Sequence, residues 1–168
     1  MEVRIRPWEI GDAPDLARAI NNPKVLMNLR DGIPTPYTVA DAEAFIRGRH
    51  EAEPDALYAW AIDVDGRAAG SIAVHRQSNI HRRTAEMGYY VGEEHWGKGV
   101  ATYAVRAACD WVFLHTDILR IFAEPFAKNG ASCRVLEKAG FQLEGVLRKN
   151  AVKDGEVLDM KLYARVKP

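Results

Sequence analysis

The sequence predicts an α/β (α+β) fold in which helices flank one mixed, mostly antiparallel sheet. Three observations predict it. Three short alternating segments in the middle of the chain follow one another with no helix between them. On either side of them the apolar spacing switches between the strand period and the helix period. The chain's 168 residues, 48% of them apolar, suit one domain (residues 1–168) with a core that needs neither disulfide nor metal.

The elements follow in order. Val3 and Ile5 alternate with Arg4 and Arg6, so residues 2–7 read as a strand. Asp12 is expected to cap a helix bearing Leu16, Ala17 and Ile20 on one face. Asn22-Pro23 ends that helix, and a short helix around Val25–Leu29 follows. The run from Asp31 to Pro36 has loop composition. Thr38 precedes Asp41 by three residues, a capping-box variant that opens a helix to about Glu53. Residues 57–63 and 68–75 are strands joined through Asp65-Gly66, and 83–91 is the third strand of the meander. Val100, Tyr103, Ala104, Ala107, Ala108, Trp111 and Leu114 then recur at helical spacing. Residues 118–123 read as a short buried strand. Asn129 is placed to cap a helix whose face is Cys133, Leu136 and Ala139, with Gly140 as its stop. Phe141–Val152 and Glu156–Val166 read as a closing hairpin around Asp154-Gly155.

Charge excludes some functions. Basic and acidic residues balance at 23 each, which gives no bulk attraction to nucleic acid or membrane. Locally, residues 128–168 carry nine Lys/Arg against five Asp/Glu, a balance that suits either an anionic ligand or a solvated face. No CxxC, CxH or HExxH spacing occurs, so no metal site is expected. Two isolated cysteines, Cys109 and Cys133, fit a reducing cytoplasm. The N-terminal residues lack the apolar stretch of a signal peptide, and no membrane-spanning run occurs.

The informative stretch is Gly92-Glu93-Glu94-His95-Trp96-Gly97-Lys98-Gly99-Val100-Ala101-Thr102, between a strand and an amphipathic helix. Glycines one residue apart let the backbone turn sharply and approach a ligand. The next helix supplies unpaired N–H groups and the positive end of its dipole, an anion site suited to a diphosphate. Gly92 to Lys98 matches GxxxxGK, but Gly99 stands where a phosphate-binding loop carries its Mg²⁺-ligating Ser/Thr. A dinucleotide fingerprint fails at Thr102, where it requires glycine. A plain tight turn would explain the glycines equally well.

The surrounding residues separate these readings. AEMGYYVGEEHWGKGVAT (85–102) and NGASCRVLEKAGFQLEGVLRKNAVKDGEVLDMKLYA (129–164) resemble the GNAT superfamily of N-acetyltransferases, in the RimJ/RimL-type branch of ribosomal-protein N-terminal acetyltransferases. The second half of the chain carries the specific part of this resemblance. Glu94 departs from the family's Gln/Arg at the start of the loop.

The resemblance implies a six- to seven-stranded sheet whose central strands splay apart, with acetyl-CoA entering the gap as co-substrate. Backbone amides around Trp96, Gly97, Lys98, Gly99, Val100 and Ala101 would hold the diphosphate. Tyr90 and Val91 would offer backbone to the pantetheine arm, and the Val91 amide would also serve the thioester oxyanion. Asn129 would bind pantetheine from the other side, beside or instead of capping its helix. Glu86 would act as base or orient the acceptor amine, and strand alternation puts it with Gly88 and Tyr90, opposite Met87 and Tyr89. Many relatives place a tyrosine seven residues after the helix asparagine; here that residue is Leu136. Ser132 is then the candidate to protonate or hydrogen-bond the leaving thiolate. Its alternative is a hydroxyl bonding back within its helix.

Met27–Gly32, Trp60, His75, Asp159 and Tyr163 are placed by topology near the acceptor, with Trp60 equally suited to the core. The acceptor is expected to be a protein or peptide N-terminus. A small-molecule amine and a non-catalytic acyl-CoA-binding module remain open alternatives. The resemblance also implies a monomer or homodimer.

Overall fold

The computed structural model describes all 168 residues. Seven strands form one sheet in the order β1-β2-β3-β4-β5-β7-β6. They are β1 (Val3–Arg6), β2 (Leu57–Val64), β3 (Arg67–Arg76), β4 (Thr84–Val91), β5 (Arg120–Ala123), β6 (Gln142–Lys153) and β7 (Glu156–Val166). The helices are α1 (Ala13–Ile20), α2 (Pro23–Leu26), α3 (Val39–Glu51), α4 (Val100–His115) and α5 (Gly130–Lys138). Every strand pair is antiparallel except β4 with β5.

Each face of the sheet has its own core. One face packs on α4 and α5 through a cluster holding Ile72, Val74, Met87, Ala104, Val112, Ile121 and Leu136. The other packs on α1 and α3 through Leu16, Ile20, Ala42, Ile46 and Ala61. Fully burying one such Ile or Leu contributes roughly 1.5–3 kcal/mol, so the two layers hold the sheet from both sides. The hairpin turns take the expected form. Asp65-Gly66 and Asp154-Gly155 both have positive φ at each residue, the mirror-image turn that matches strand twist.

Local chemistry sets several boundaries. Thr38 accepts from the Asp41 amide at 3.0 Å while Asp41 accepts from the Thr38 amide at 2.8 Å, a closed capping box on α3. Asp12 does not cap α1 as expected. Arg6 takes its carboxylate in a fork at 2.8 and 2.9 Å, and the Glu9 amide donates at 2.9 Å. Burial pushes the Asp12 carboxyl up, but the Arg6 hydrogen bonds, the Glu9 amide and the Arg6 charge together outweigh it and hold it below its ordinary value. The face expected for α4 is also corrected. Val100, Ala104, Val105, Ala108, Cys109 and Val112 are buried, while Tyr103, Trp111 and Leu114 are exposed. Small residues let α4 lie close to the sheet, so its buried stripe is set by fit rather than by the largest apolar side chains.

The pairing between β4 and β5 makes the gap on which the site depends. It runs only from Thr84↔Arg120 to Glu86↔Phe122. Beyond Glu86, β4 continues to Val91 with β3 on one side and no strand on the other.

Candidate active site

The glycine loop starts where β4 stops. Gly97 (φ +74°) and Gly99 (φ +79°) adopt the left-handed backbone. A Cβ at either position would meet nothing within 4 Å, so both glycines border open space. The Trp96 indole N–H donates to the Val91 carbonyl at 2.8 Å and fastens the loop to β4. Lys98 turns its ammonium onto the Glu94 carbonyl at 2.9 Å and, unlike Gly97 and Gly99 on either side, does not line the cavity. Glu94 lies 3.7 Å from Arg18, whose charge offsets its own beside the loop, and 3.4 Å from the His95 imidazole. Tyr103 N–H donates to Gly99 O at 3.0 Å, the first bond of α4. The amides of Val100, Ala101 and Thr102 therefore precede the helical ladder and point outward with the dipole's positive end.

The register of β4 tells which backbone groups face the gap. Gly92 N–H donates to Ala69 O at 2.8 Å, which fixes the alternation of the β3–β4 ladder. Tyr90 and Glu86 then turn their backbone polar groups to β3. Met87, Tyr89 and Val91 turn theirs to the gap. This corrects one expectation: on this register Tyr89, not Tyr90, joins Val91 in offering backbone there. The Tyr90 side chain packs into the second core, where burial raises its hydroxyl well above the ordinary range.

One cavity of about 680 Å³ joins these features. Gly97, Gly99, Val100 and Ala101 line it from the loop, and Tyr89 and Val91 from β4. Asn129 and Ser132 line it from α5. Asn129 caps α5, accepting from the Ser132 amide at 3.2 Å, and its side-chain NH₂ is left without a partner in the chain. The Ser132 hydroxyl lies 2.7 Å from the Tyr89 hydroxyl.

The opposite wall of the cavity is built from side chains. Glu86 shares a face with Gly88 and Tyr90, as alternation requires, and pairs with Arg30 at 2.7 Å. Next to Arg30, Asp31 pairs with Lys153 of β6 at 2.8 Å, so adjacent residues tie the segment after α2 to both β4 and the hairpin. His75 stands opposite Glu86 in the ladder. Burial lowers its pKa, Arg49 and Arg30 lower it further, and Glu86 opposes them. Glu124, just past β5, lines the same cavity, and its carboxyl is raised by burial and by Glu86, against Arg30.

Some residues placed by topology lie elsewhere. Tyr163 is buried in the main core, where burial raises its hydroxyl to about 12. Trp60 packs edge-on to Trp111 on the α4 side. Asp159 accepts from the Lys149 amide at 2.8 Å and fixes a bulge in β6. Met27 is exposed, whereas Asn28, Leu29 and Arg30 of its segment reach the cavity. Tyr89 and Glu124 were missed as candidates. The signal for Glu124 was a lone carboxylate ending an apolar strand. Tyr89 carried no local signal, because its partner lies 43 residues away.

A double-glycine turn thus feeds a helix N-terminus beside a sheet that splits between its two parallel strands. Residues 2–142 match the family model described as Acetyltransferase (GNAT) domain, and the chain belongs to that family. It is 40% identical to the uncharacterized N-acetyltransferase YoaA of Bacillus subtilis (strain 168) over 99 residues, 59% of this chain and 55% of that protein. The chain thus spans about half the length of that relative. Mycobacterium smegmatis RimJ in complex with CoA-disulfide superposes with a TM-score of 0.87 at 26% identity, over 98% of this chain and 81% of that one. Spermidine N-acetyltransferase from Vibrio cholerae, in complex with CoA and spermine, superposes with a TM-score of 0.81 at 22% identity, over 98% and 95%. No helix is long and apolar enough to cross a membrane.

Proposed function

We propose that the chain, acting as one unit over residues 1–168 in a reducing cytoplasm, transfers an acetyl group from acetyl-CoA to a primary amine, the N-terminus of a protein or peptide. One observation carries the proposal. The outward amides of the glycine loop, the unpaired edge of β4 and the Glu86 carboxylate all line one cavity. The residues fit the co-substrate. Gly97 and Gly99 leave room where a side chain would stand, and the first-turn amides of α4 offer donors to a diphosphate.

Acetyl-CoA supplies a thioester carbonyl, already activated toward amines. The protein's part is binding, orientation and proton handling. Gly99, Val100 and Ala101 neutralise the diphosphate through their N–H groups, with Trp96, Gly97 and Lys98 shaping the turn. Asn129 and the gap-facing groups of β4 hold the pantetheine arm extended. The Val91 N–H meets the charge that develops on the carbonyl oxygen. An α-amino group has a pKa of about 8 and a lysine about 10.4, so the acceptor arrives as ammonium. Glu86 takes its proton directly or through water. Ser132 donates a hydrogen bond to the departing sulfur.

The second reading is a small-molecule amine. Two carboxylates, Glu86 and Glu124, line the cavity with Arg30 as the cation paired to one of them, and such a wall also suits a polyamine. The test is thiol release from acetyl-CoA with a panel of peptides, polyamines and amino sugars. Acetylation of peptide N-termini is the expected result. Preference for a polyamine would move the assignment to the second reading. CoA binding without turnover of any amine would make the chain a binding module.

A further inference from the structure

Ser132 lies in the first turn of α5, and Tyr89 reaches it from β4 across the gap. The two hydroxyls are 2.7 Å apart, and the Tyr89 hydroxyl also approaches the Ser132 carbonyl at 3.4 Å. These are the only polar contacts of the Tyr89 hydroxyl in the chain. Burial raises it to about 12, so it keeps its proton across the working range. A phenol is the stronger hydrogen-bond donor of the pair and an alcohol oxygen the stronger acceptor. Serine has one proton to give and two lone pairs to accept with. The bond therefore runs from Tyr89 to Ser132 Oγ, and Ser132's own proton is left over. The hydroxyl makes no bond back to its own helix, the usual fate of a helical serine. Leu136, one turn further along α5, is fully buried and has no proton to offer.

We propose that Tyr89 is a positioning residue, which holds the Ser132 side chain so that its free O–H points into the gap toward the sulfur of the leaving thiol. The inference rests on the reading that Ser132 serves that sulfur. As the C–S bond breaks, its electron pair goes to sulfur, and Ser132 hydrogen-bonds the thiolate. The acceptor nitrogen forms the amide and gives up its proton to Glu86 or water. The thiolate takes a proton from water on release, so Tyr89 and Ser132 end the cycle unchanged.

The experiment is a double-mutant cycle with Tyr89→Phe, Ser132→Ala and both together, using acetyl-CoA and the best acceptor of the panel. Tyr89→Phe keeps the ring and its packing, and a thermal melt checks this. The expected result is a fall in kcat of about tenfold for each single variant, the size of one lost directed hydrogen bond. KM for acetyl-CoA stays constant, and the double variant is no slower than Ser132→Ala. A slow Ser132→Ala beside a fully active Tyr89→Phe overturns the inference and leaves the role of Ser132 standing. Multiplicative losses in the double variant overturn it as well, because Tyr89 then acts independently of Ser132. A fully active Ser132→Ala overturns both the inference and the reading beneath it, as does an absence of turnover with every amine.

Discussion

The two ends of the cavity are built in different ways. The loop end consists of backbone from one contiguous stretch, Gly92–Thr102, held by left-handed glycines and a helix start. The acceptor end is assembled from side chains of separate elements. Arg30 follows α2, His75 comes from β3, Glu86 from β4 and Glu124 from the end of β5. A ligand read by backbone leaves its mark in residue order, since only certain residues permit that backbone. A ligand read by side chains leaves its mark in tertiary contacts. The loop end should therefore fail all at once on a single backbone change, whereas the acceptor end should respond to each charge separately.

The sharpest way to break this comparison is Gly99→Val. Placing an L-residue in the left-handed region costs about 1–2 kcal/mol, and β-branching adds to that. A Cβ at residue 99 would also stand in the open space assigned to the diphosphate. CoA affinity, measured by calorimetry, should fall at least about 30-fold. Gly66→Val is the control: its φ of +88° is equally strained, it too meets no neighbour within 4 Å, and it lies in the β2–β3 turn. It should lower Tm and leave CoA binding alone. Equal CoA affinity in wild type and Gly99→Val would remove the loop from the cofactor site.

At the other end of the cavity the corresponding single change is Glu86→Gln. Loss of a general base typically costs between about 10² and 10⁴ in rate. The expected outcome is a fall of at least about 100-fold in kcat/KM for the amine, with CoA affinity unchanged. The loss should shrink toward high pH, where the acceptor arrives already deprotonated. A variant as active as wild type from pH 6 to 9 would show that Glu86 is not the base.

The places of these two residues in the fold were legible in the sequence for physical reasons. The order of strands and helices followed from period-2 and period-3.6 patterns, and the turns from Asp-Gly pairs. Gly97 and Gly99 stood out because few other sequences bend this way. Glu86 was placed on the correct face because alternation along a strand is nearly rigid. The buried face of α4 was misjudged because close packing preferred Ala104 and Ala108 to Tyr103 and Trp111. Asp12 looked like a cap because no local pattern shows that Arg6 will claim its carboxylate. Tyr89 and Glu124 were illegible for the same reason. Each acquires its meaning from a residue brought near only by the fold.

Arg30 tests the acceptor end at a smaller scale. Its guanidinium occupies Glu86, so an incoming ammonium must compete with it. Its side chain is 71% exposed, and pairs of that kind contribute only about 0–1 kcal/mol. Arg30→Gln should therefore lower KM for a cationic acceptor by no more than about fivefold, with CoA affinity constant. A rise in KM would mean instead that Arg30 contacts the acceptor directly.

The smallest effect is expected at Glu124, and its sign is fixed by the direction of the shift. Burial and the Glu86 charge raise its carboxyl, against Arg30, so the folded protein holds that proton more tightly than the unfolded chain does. Stability from this group is fully present below the unfolded pKa and is lost as pH rises through the folded value. Glu124→Gln removes the ionised form altogether. Its Tm should exceed that of wild type by a small margin at pH 8, and the margin should vanish below about pH 4, where the wild-type carboxyl is protonated in both states. Because Glu86 is part of the cause, the margin at pH 8 should also narrow in a Glu86→Gln background. An undiminished margin there would mean that burial alone raises Glu124, and that the two carboxylates do not act on one acceptor as a pair.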